Sequence, residues 1–138
     1  MEWTLEVVSV PVADVDRAKE FYKTRMGFAV DHDTEVGPGV RFVQLTPRGS
    51  GCSVVIGTGM GNDMAPGSLK GLQLVVNDVR AARDELASRG VDIGEVQFAG
   101  PAGFRPAKDD DDLNNAGFAF FADPDGNGWA LQQITARK

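Results

Sequence analysis

The chain has 138 residues, of which 42% are hydrophobic and 25% are charged, as is usual for one globular domain. Its formal net charge of −6 argues against nucleic-acid binding, which depends on Lys and Arg neutralising phosphates; the charge instead aids solubility or attracts a cationic ligand. No apolar run approaches the roughly 20 residues of a membrane span, so we expect neither a membrane nor a nucleic-acid partner.

The N-terminus and the cysteine content indicate the compartment. Met1-Glu2-Trp3-Thr4 lacks the basic region followed by an apolar stretch that a signal peptide carries. Cys52 is the one cysteine of the chain, so no internal disulfide can form, which suits a reducing environment. We therefore expect a cytoplasmic protein.

The first half of the chain has the pattern of a strand, a helix and three further strands. A β-rich stretch at residues 5–12 precedes Asp14, which can cap a helix, and Gly27 can end that helix in the left-handed conformation. Apolar residues recur at spacings of three and four and predict one buried helix face: Val15, Ala18, Phe21, Tyr22 and Met26. The three following strands are predicted at residues 27–34, 40–46 and 52–57.

The second half repeats this order. Asp78 and Gly90 follow Asp14 and Gly27 at offsets of 64 and 63 positions, and such a constant offset indicates an internal repeat. The apolar face of the second helix is predicted from Val79, Ala82 and Leu86. Strands are predicted at residues 72–76, 91–98, 117–122 and 128–134, and a linker at 58–69. We therefore predict a single α+β domain over residues 1–138, with two βαβββ modules in tandem at 3–57 and 70–134.

Two segments of the second half lie outside these elements. The stretch from Gly100 to Gly117 contains Phe104, Arg105 and the acidic run Asp109–Asp112. It reads either as a solvated mobile loop or as a flap that attracts a cationic ligand, with Phe104 or Arg105 touching it. The stretch at residues 123–127, Asp-Pro-Asp-Gly-Asn, predicts a chain reversal between two strands, with its aspartates in a structural role.

These motifs resemble those of a known family. Residues 12–22, then Met26-Gly27-Phe28, resemble the opening of the vicinal oxygen chelate proteins, which include glyoxalases, bleomycin resistance proteins and dioxygenases. Residues 121–128 resemble the closing signature of that family. The resemblance implies a curved mixed sheet around a cleft, with the helices outside, and a homodimer.

The resemblance also implies positions for a metal site, and this chain lacks ligands there. A divalent ion needs His nitrogen or carboxylate oxygen at one position on the first and last strand of each half. Three of these positions hold Val7, Gly71 and Ala130, and the fourth falls among residues 53–56, which are Ser-Val-Val-Ile. A register slip of two would bring in hydroxyl or amide groups, such as that of Gln73, without a transition-metal shell. We expect no metal and no cofactor, and His32, the one histidine, is interpreted as a surface strand residue.

What remains is a mostly apolar cleft. Because strand side chains alternate between faces, the residues in phase with these metal positions are candidates for ligand binding: Leu5, Val7, Ser9, Gln73, Val75 and Gln132. Phe42, as an aromatic wall of the cleft, and Phe104, on the predicted loop, complete the set of candidates. Further aromatic residues are candidates for the cleft walls or for plain core packing: Trp3, Phe98, Phe118 and Phe120.

Two functions follow. The first is a metal-free protein that binds or sequesters a hydrophobic or cationic organic compound, as bleomycin-type antibiotic resistance proteins do. The second is a lyase, isomerase or dioxygenase-type enzyme of the same superfamily that uses Glu, Asp or Tyr22 as acid or base; no catalytic residue is assigned to it.

Overall fold

The computed structural model describes residues 1–58 and 63–135, so residues 59–62 of the predicted linker lie outside the described residues. The chain forms two compact units. The first contains residues 1–69 and 123–127, and the second contains residues 70–122 and those from 128 onward. Within the described ranges, neither helix has the length and apolar character needed to cross a membrane.

The first unit is a four-stranded sheet with one helix. Its elements are β1 (Val7–Ser9), α1 (Val15–Glu20) with a π-helical continuation (Phe21–Arg25), β2 (Ala29–Gly37), β3 (Val40–Thr46) and β4 (Ser53–Thr58). The strand order is β1-β4-β3-β2. Strand β1 is parallel to β4, whereas the other neighbours are antiparallel, so the sheet is mixed.

The helix of the first unit forms where the cap and the apolar spacing predict it. The Asp14 side chain accepts a hydrogen bond from the Arg17 amide at 3.1 Å, and the predicted apolar face is buried. The last turns differ from a regular α-helix, because the amide of Met26 donates to the carbonyl of Phe21, five residues back. The chain then leaves the helix at Gly27, whose φ is 77°, as predicted.

The second unit is a five-stranded mixed sheet with one helix. Its elements are β5 (Leu72–Val76), α2 (Val79–Ser88), β6 (Gln97–Gly100), β7 (Gly103–Pro106), β8 (Gly117–Ala122) and β9 (Gly128–Gln133). The strand order is β5-β9-β8-β6-β7, with β5 parallel to β9. Asp78 caps α2 through the Ala81 amide at 3.0 Å, and Val79 and Leu86 are buried.

The prediction of four strands in the second half was wrong. Strand β7 lies inside the predicted loop and forms a tight hairpin with β6, in which Gly100 is paired with Gly103. Conversely, residues 91–96 belong to no strand, although Val91, Ile93 and Val96 are buried. The alternation of apolar residues in this segment therefore reflects the burial of their side chains in the core of the unit and not pairing with a neighbouring strand. The α+β class predicted from the sequence is confirmed.

Candidate functional site

One face of the second sheet is left uncovered by its helix. Val79 of α2 packs against Gly117 of β8, so the side chains in phase with Gly117, such as Phe121, face the helix. The opposite side is called here the open face. The strand register places these side chains, among others, on the open face: Gln73, Val75, Phe104, Phe118, Phe120, Ala130 and Gln132.

Three phenylalanines form an exposed cluster on the open face. The rings of Phe118 and Phe120 are parallel, with centroids 6.2 Å apart, because both lie on one strand two residues apart. Phe104 of β7 presents its ring at nearly a right angle to both, at 5.4 and 5.3 Å. Phe104 is nevertheless 56% exposed and Phe120 is 43% exposed. An exposed aromatic cluster of this kind marks an interaction surface more often than a solvated one.

A cavity of about 300 Å³ adjoins this cluster at the end of β5 and β9. Its walls are formed by Gly71, Leu72, Gln73, Phe120, Phe121, Gly128, Trp129 and Ala130. Gly71 adopts a φ of +91°, and a Cβ added there would meet no atom within 4 Å. The space is therefore open because Gly71 and Ala130 carry little or no side chain. These are the two positions of the second half where the resemblance would place metal ligands.

The polar groups of the open face form a short chain of amides. Gln73 Nε2 donates to Gln132 Oε1, and Gln132 Nε2 donates to the carbonyl oxygen of Asn115 at 2.9 Å. Gln73 is exposed and lines the cavity. The face thus offers an uncharged polar group beside an aromatic surface, which is the usual composition of a small-molecule site.

The residues at the implied metal positions do not fit a metal ion. Val7, Gly71 and Ala130 offer no side-chain donor atom, and no three His, Cys, Asp or Glu side chains of the described residues lie together as a metal-binding group. His32 is exposed on β2, and its ring centroid lies 6.3 Å from that of Phe42.

Four of the predicted ligand-binding residues belong to the first unit. Val7, Ser9 and Phe42 share the face of the first sheet opposite α1, as the pairing of their strands shows; Val7 and Ser9 are exposed and Phe42 is half-buried. Leu5 is exposed and precedes β1. The other four, Gln73, Val75, Phe104 and Gln132, lie together on the open face. A cleft formed by both halves stays a prediction.

Sequence reasoning missed a hydroxyl chain on the same face of the first sheet. Thr46 donates to the carboxylate of Asp31, and its Oγ1 lies 2.6 Å from the hydroxyl of Ser53. Because a carboxylate only accepts, Ser53 must donate to Thr46. Ser53 falls in the segment where the fourth metal ligand was expected, and its hydroxyl proton is thus already used in a hydrogen bond.

Asp111 connects the acidic run at residues 109–112 to Arg105 of β7. Arg105 holds Asp111 with two hydrogen bonds of 2.8 Å, and the Lys108 amide adds a third at 2.7 Å. The Arg105 guanidinium, followed by that amide, keeps the pKa of Asp111 well below its usual range. Arg105 stacks over Phe98, 4.4 Å from its centroid, on the helix side of the sheet. Of the two residues proposed to touch a ligand, Phe104 alone lies on the open face.

Tyr22 is a structural residue. Its ring is fully buried, and its hydroxyl donates to Asp123 Oδ2 at 2.6 Å. Asp123 is itself buried and also accepts from Asn127 Nδ2 and from the amides of Asp125 and Asn127. The turn at residues 123–127 therefore plays the structural role expected from the sequence, and the hydroxyl of Tyr22 is engaged in a hydrogen bond to it.

The fold and the site define a class of protein: two α+β modules, the second of which has an aromatic and uncharged surface on its open face. The chain belongs to the Glyoxalase/Bleomycin resistance protein/Dioxygenase superfamily, whose model matches residues 4–131. This confirms the resemblance noted in the sequence. No curated protein gives a significant match to the chain.

Solved structures show the same fold. TnmS3, an antibiotic binding protein from Streptomyces sp. CB03234, is 34% identical over 96% of this chain and 97% of its own, with a TM-score of 0.73. A glyoxalase/bleomycin resistance protein from the same organism is 35% identical over 94% of this chain and 100% of its own, with a TM-score of 0.70. A superfamily member from Sphaerobacter thermophilus DSM 20745 is 26% identical over 96% and 98% of the two chains, with a TM-score of 0.75.

Proposed function

We propose that this protein binds a small hydrophobic organic molecule, neutral or cationic, on the open face and releases it chemically unchanged. The observation that carries the proposal is the cavity beside Phe120, which Gly71 and Ala130 line with little or no side chain. The similarity to TnmS3, an antibiotic binding protein, supports the same class of function.

The exposed aromatic area is sufficient for useful affinity. Phe104 and Phe120 are each about half exposed, and a ligand that lies against one ring and contacts the other, which is nearly perpendicular to it, would cover at most about 200 Å² of apolar surface. At roughly 25 cal/mol per Å² this contributes about 5 kcal/mol, and the ligand's own buried surface contributes a similar amount. Since association costs at least about 4 kcal/mol, at most about 6 kcal/mol remains, which corresponds to a Kd of roughly tens of micromolar. A cationic ligand would gain further from the electron-rich ring faces.

The proposal is tested by calorimetric titration of chelator-treated protein with 2-naphthol, a flat aromatic probe. Ala130→Leu places a larger side chain in the cavity, so we expect it to weaken binding by about 10-fold or more. Ala87→Leu, on the exposed surface of α2, is the matched control and should bind as the wild type does. Phe120→Ala gives a second test at an exposed position, where folding is least affected.

Two results would contradict this function. Equal binding by wild-type protein and the Ala130→Leu and Phe120→Ala variants would show that the ligand does not use the open face. Consumption of the compound, measured by chromatography and mass spectrometry after incubation, would favour the enzymatic alternative.

A further inference from the structure

The orientation of the Gln73 side-chain amide is fixed by a series of hydrogen bonds that runs through Gln132 to the carbonyl of Asn115. The carbonyl oxygen of Asn115 can only accept a hydrogen bond. The side-chain group of Gln132 that faces it at 2.9 Å is therefore the amide nitrogen. The oxygen of Gln132 then faces Gln73, and the group of Gln73 that meets it is in turn the nitrogen.

The far end of this chain is anchored. The amide of Asn115 donates to the carbonyl of Gln133 at 2.7 Å, and Asn115 adopts a positive φ of 65°, so its carbonyl is held by a tight turn beside β9. Gln73 itself is fixed by the pairing of β5 with β9, where it lies opposite Ala130. Both ends of the chain are thus set by backbone structure.

The consequence is an unused acceptor on the open face. The nitrogen of Gln73 is turned toward Gln132, so the oxygen Oε1 is turned away from it. Within residues 1–58 and 63–135, the side chain of Gln73 makes no hydrogen bond other than that to Gln132. The oxygen belongs to an exposed residue that lines the same cavity as Phe120.

We propose that Gln73 selects ligands in which an aromatic ring carries a hydrogen-bond donor, a phenolic hydroxyl or a ring N–H, that its Oε1 accepts while the ring lies against Phe120. This inference rests on the proposed function and narrows it to a class of ligands. A ligand without a donor would cover the oxygen and leave it without water or a partner, and such a buried unsatisfied acceptor is strongly unfavourable. Gln132 is a positioning residue, because it acts through Gln73.

The test compares 2-naphthol with 2-methoxynaphthalene, which has the same rings but no donor, by calorimetric titration. We expect the wild type to prefer 2-naphthol by about 10-fold. Gln73→Met keeps the length of the side chain without its amide, and should reduce the preference to within about 2-fold while the methyl ether still binds. Gln132→Leu leaves Gln73 in place but free to rotate, and should reduce the preference to an intermediate value.

Each outcome decides the inference. A preference that survives in Gln73→Met, or equal binding of the two compounds by the wild type, would overturn it. Full preference in Gln132→Leu would overturn the role of the amide chain. If both compounds bind equally and Ala130→Leu weakens both, the proposed function stands and the inference fails; if neither compound binds the wild type, both fail together.

Discussion

Replacing Tyr22 by Phe should destabilise the protein without changing ligand binding. The substitution removes one hydroxyl, which donates to the buried carboxylate of Asp123 at 2.6 Å. The ring contacts with Phe21 at 5.1 Å and Phe28 at 5.7 Å need no hydroxyl and remain. The variant therefore isolates the hydrogen bond from the packing of the ring.

The magnitude follows from the partners that Asp123 keeps. A hydrogen bond to a charged group contributes about 1.5–3 kcal/mol. After the substitution, the carboxylate still accepts from Asn127 Nδ2 at 2.8 Å and from the amides of Asp125 and Asn127, so no bare charge is left. We expect a loss of about 2 kcal/mol in the free energy of unfolding. For a domain of this size, that lowers Tm by roughly 8 °C.

The assay is urea unfolding followed by tryptophan fluorescence, with a double-mutant cycle that includes Asp123→Asn. The cycle should give a coupling energy of at least about 1 kcal/mol between the two side chains. A loss below about 0.5 kcal/mol in Tyr22→Phe would refute the assignment of this bond as a stabilising contact. If Tyr22→Phe and the wild type differed in ligand affinity when equal fractions of both are folded, Tyr22 would belong to the functional site.

Two further predictions concern the first unit. A Cβ at Gly67 (φ +79°) would lie 2.0 Å from a backbone oxygen of the turn at residues 123–127, so Gly67→Ala should lower the free energy of unfolding in urea by at least about 2 kcal/mol. Gly39 has a similar φ of +72° but open space around it, so Gly39→Ala should lower it by only about 1 kcal/mol, through conformational strain. Equal losses in the two variants would contradict the contact at Gly67. Hydrogen bonds from Arg41, then Lys19, hold the pKa of Asp33 well below its usual range, so the charged form is favoured by folding. Arg41→Met should therefore lower the unfolding free energy at pH 7 by less than about 1 kcal/mol, as for other partly exposed pairs. The difference should shrink as the pH falls below the usual aspartate value of about 4, and a constant difference from pH 7 to pH 2 would contradict the pairing.

Local rules account for the parts of the fold that the sequence predicted. The caps at Asp14 and Asp78 and the glycine stops depend on residues within a few positions of each other, and all four formed as expected. Apolar spacing identified the buried helix faces for the same reason. Strand β7 was missed because its four residues end in a proline and show little alternation of apolar and polar residues. It forms by pairing with β6 in the hairpin at Gly103, which these local patterns do not predict.

The candidate site, like the fold, was predicted only in part from the sequence. Period-two alternation, counted from the positions that the resemblance implied at Gly71 and Ala130, predicted that Gln73 and Gln132 share one face, and in the structure they share it. The hydrogen bond between them and the orientation of the Gln73 amide depend on the carbonyl of Asn115, a residue 17 positions from Gln132 whose turn has no sequence signal beyond its asparagines. Whether an aromatic residue is exposed, as Phe104 is, depends on how strands pair and cannot be read from its type.

The most direct measurement is a crystal structure of chelator-treated protein soaked with 2-naphthol. We expect the naphthalene ring to lie against Phe120 and over Ala130, with its hydroxyl within about 3.2 Å of Gln73 Oε1. A transition-metal ion held by this chain's own side chains next to Gly71 and Ala130, or a probe bound away from the open face, would contradict it.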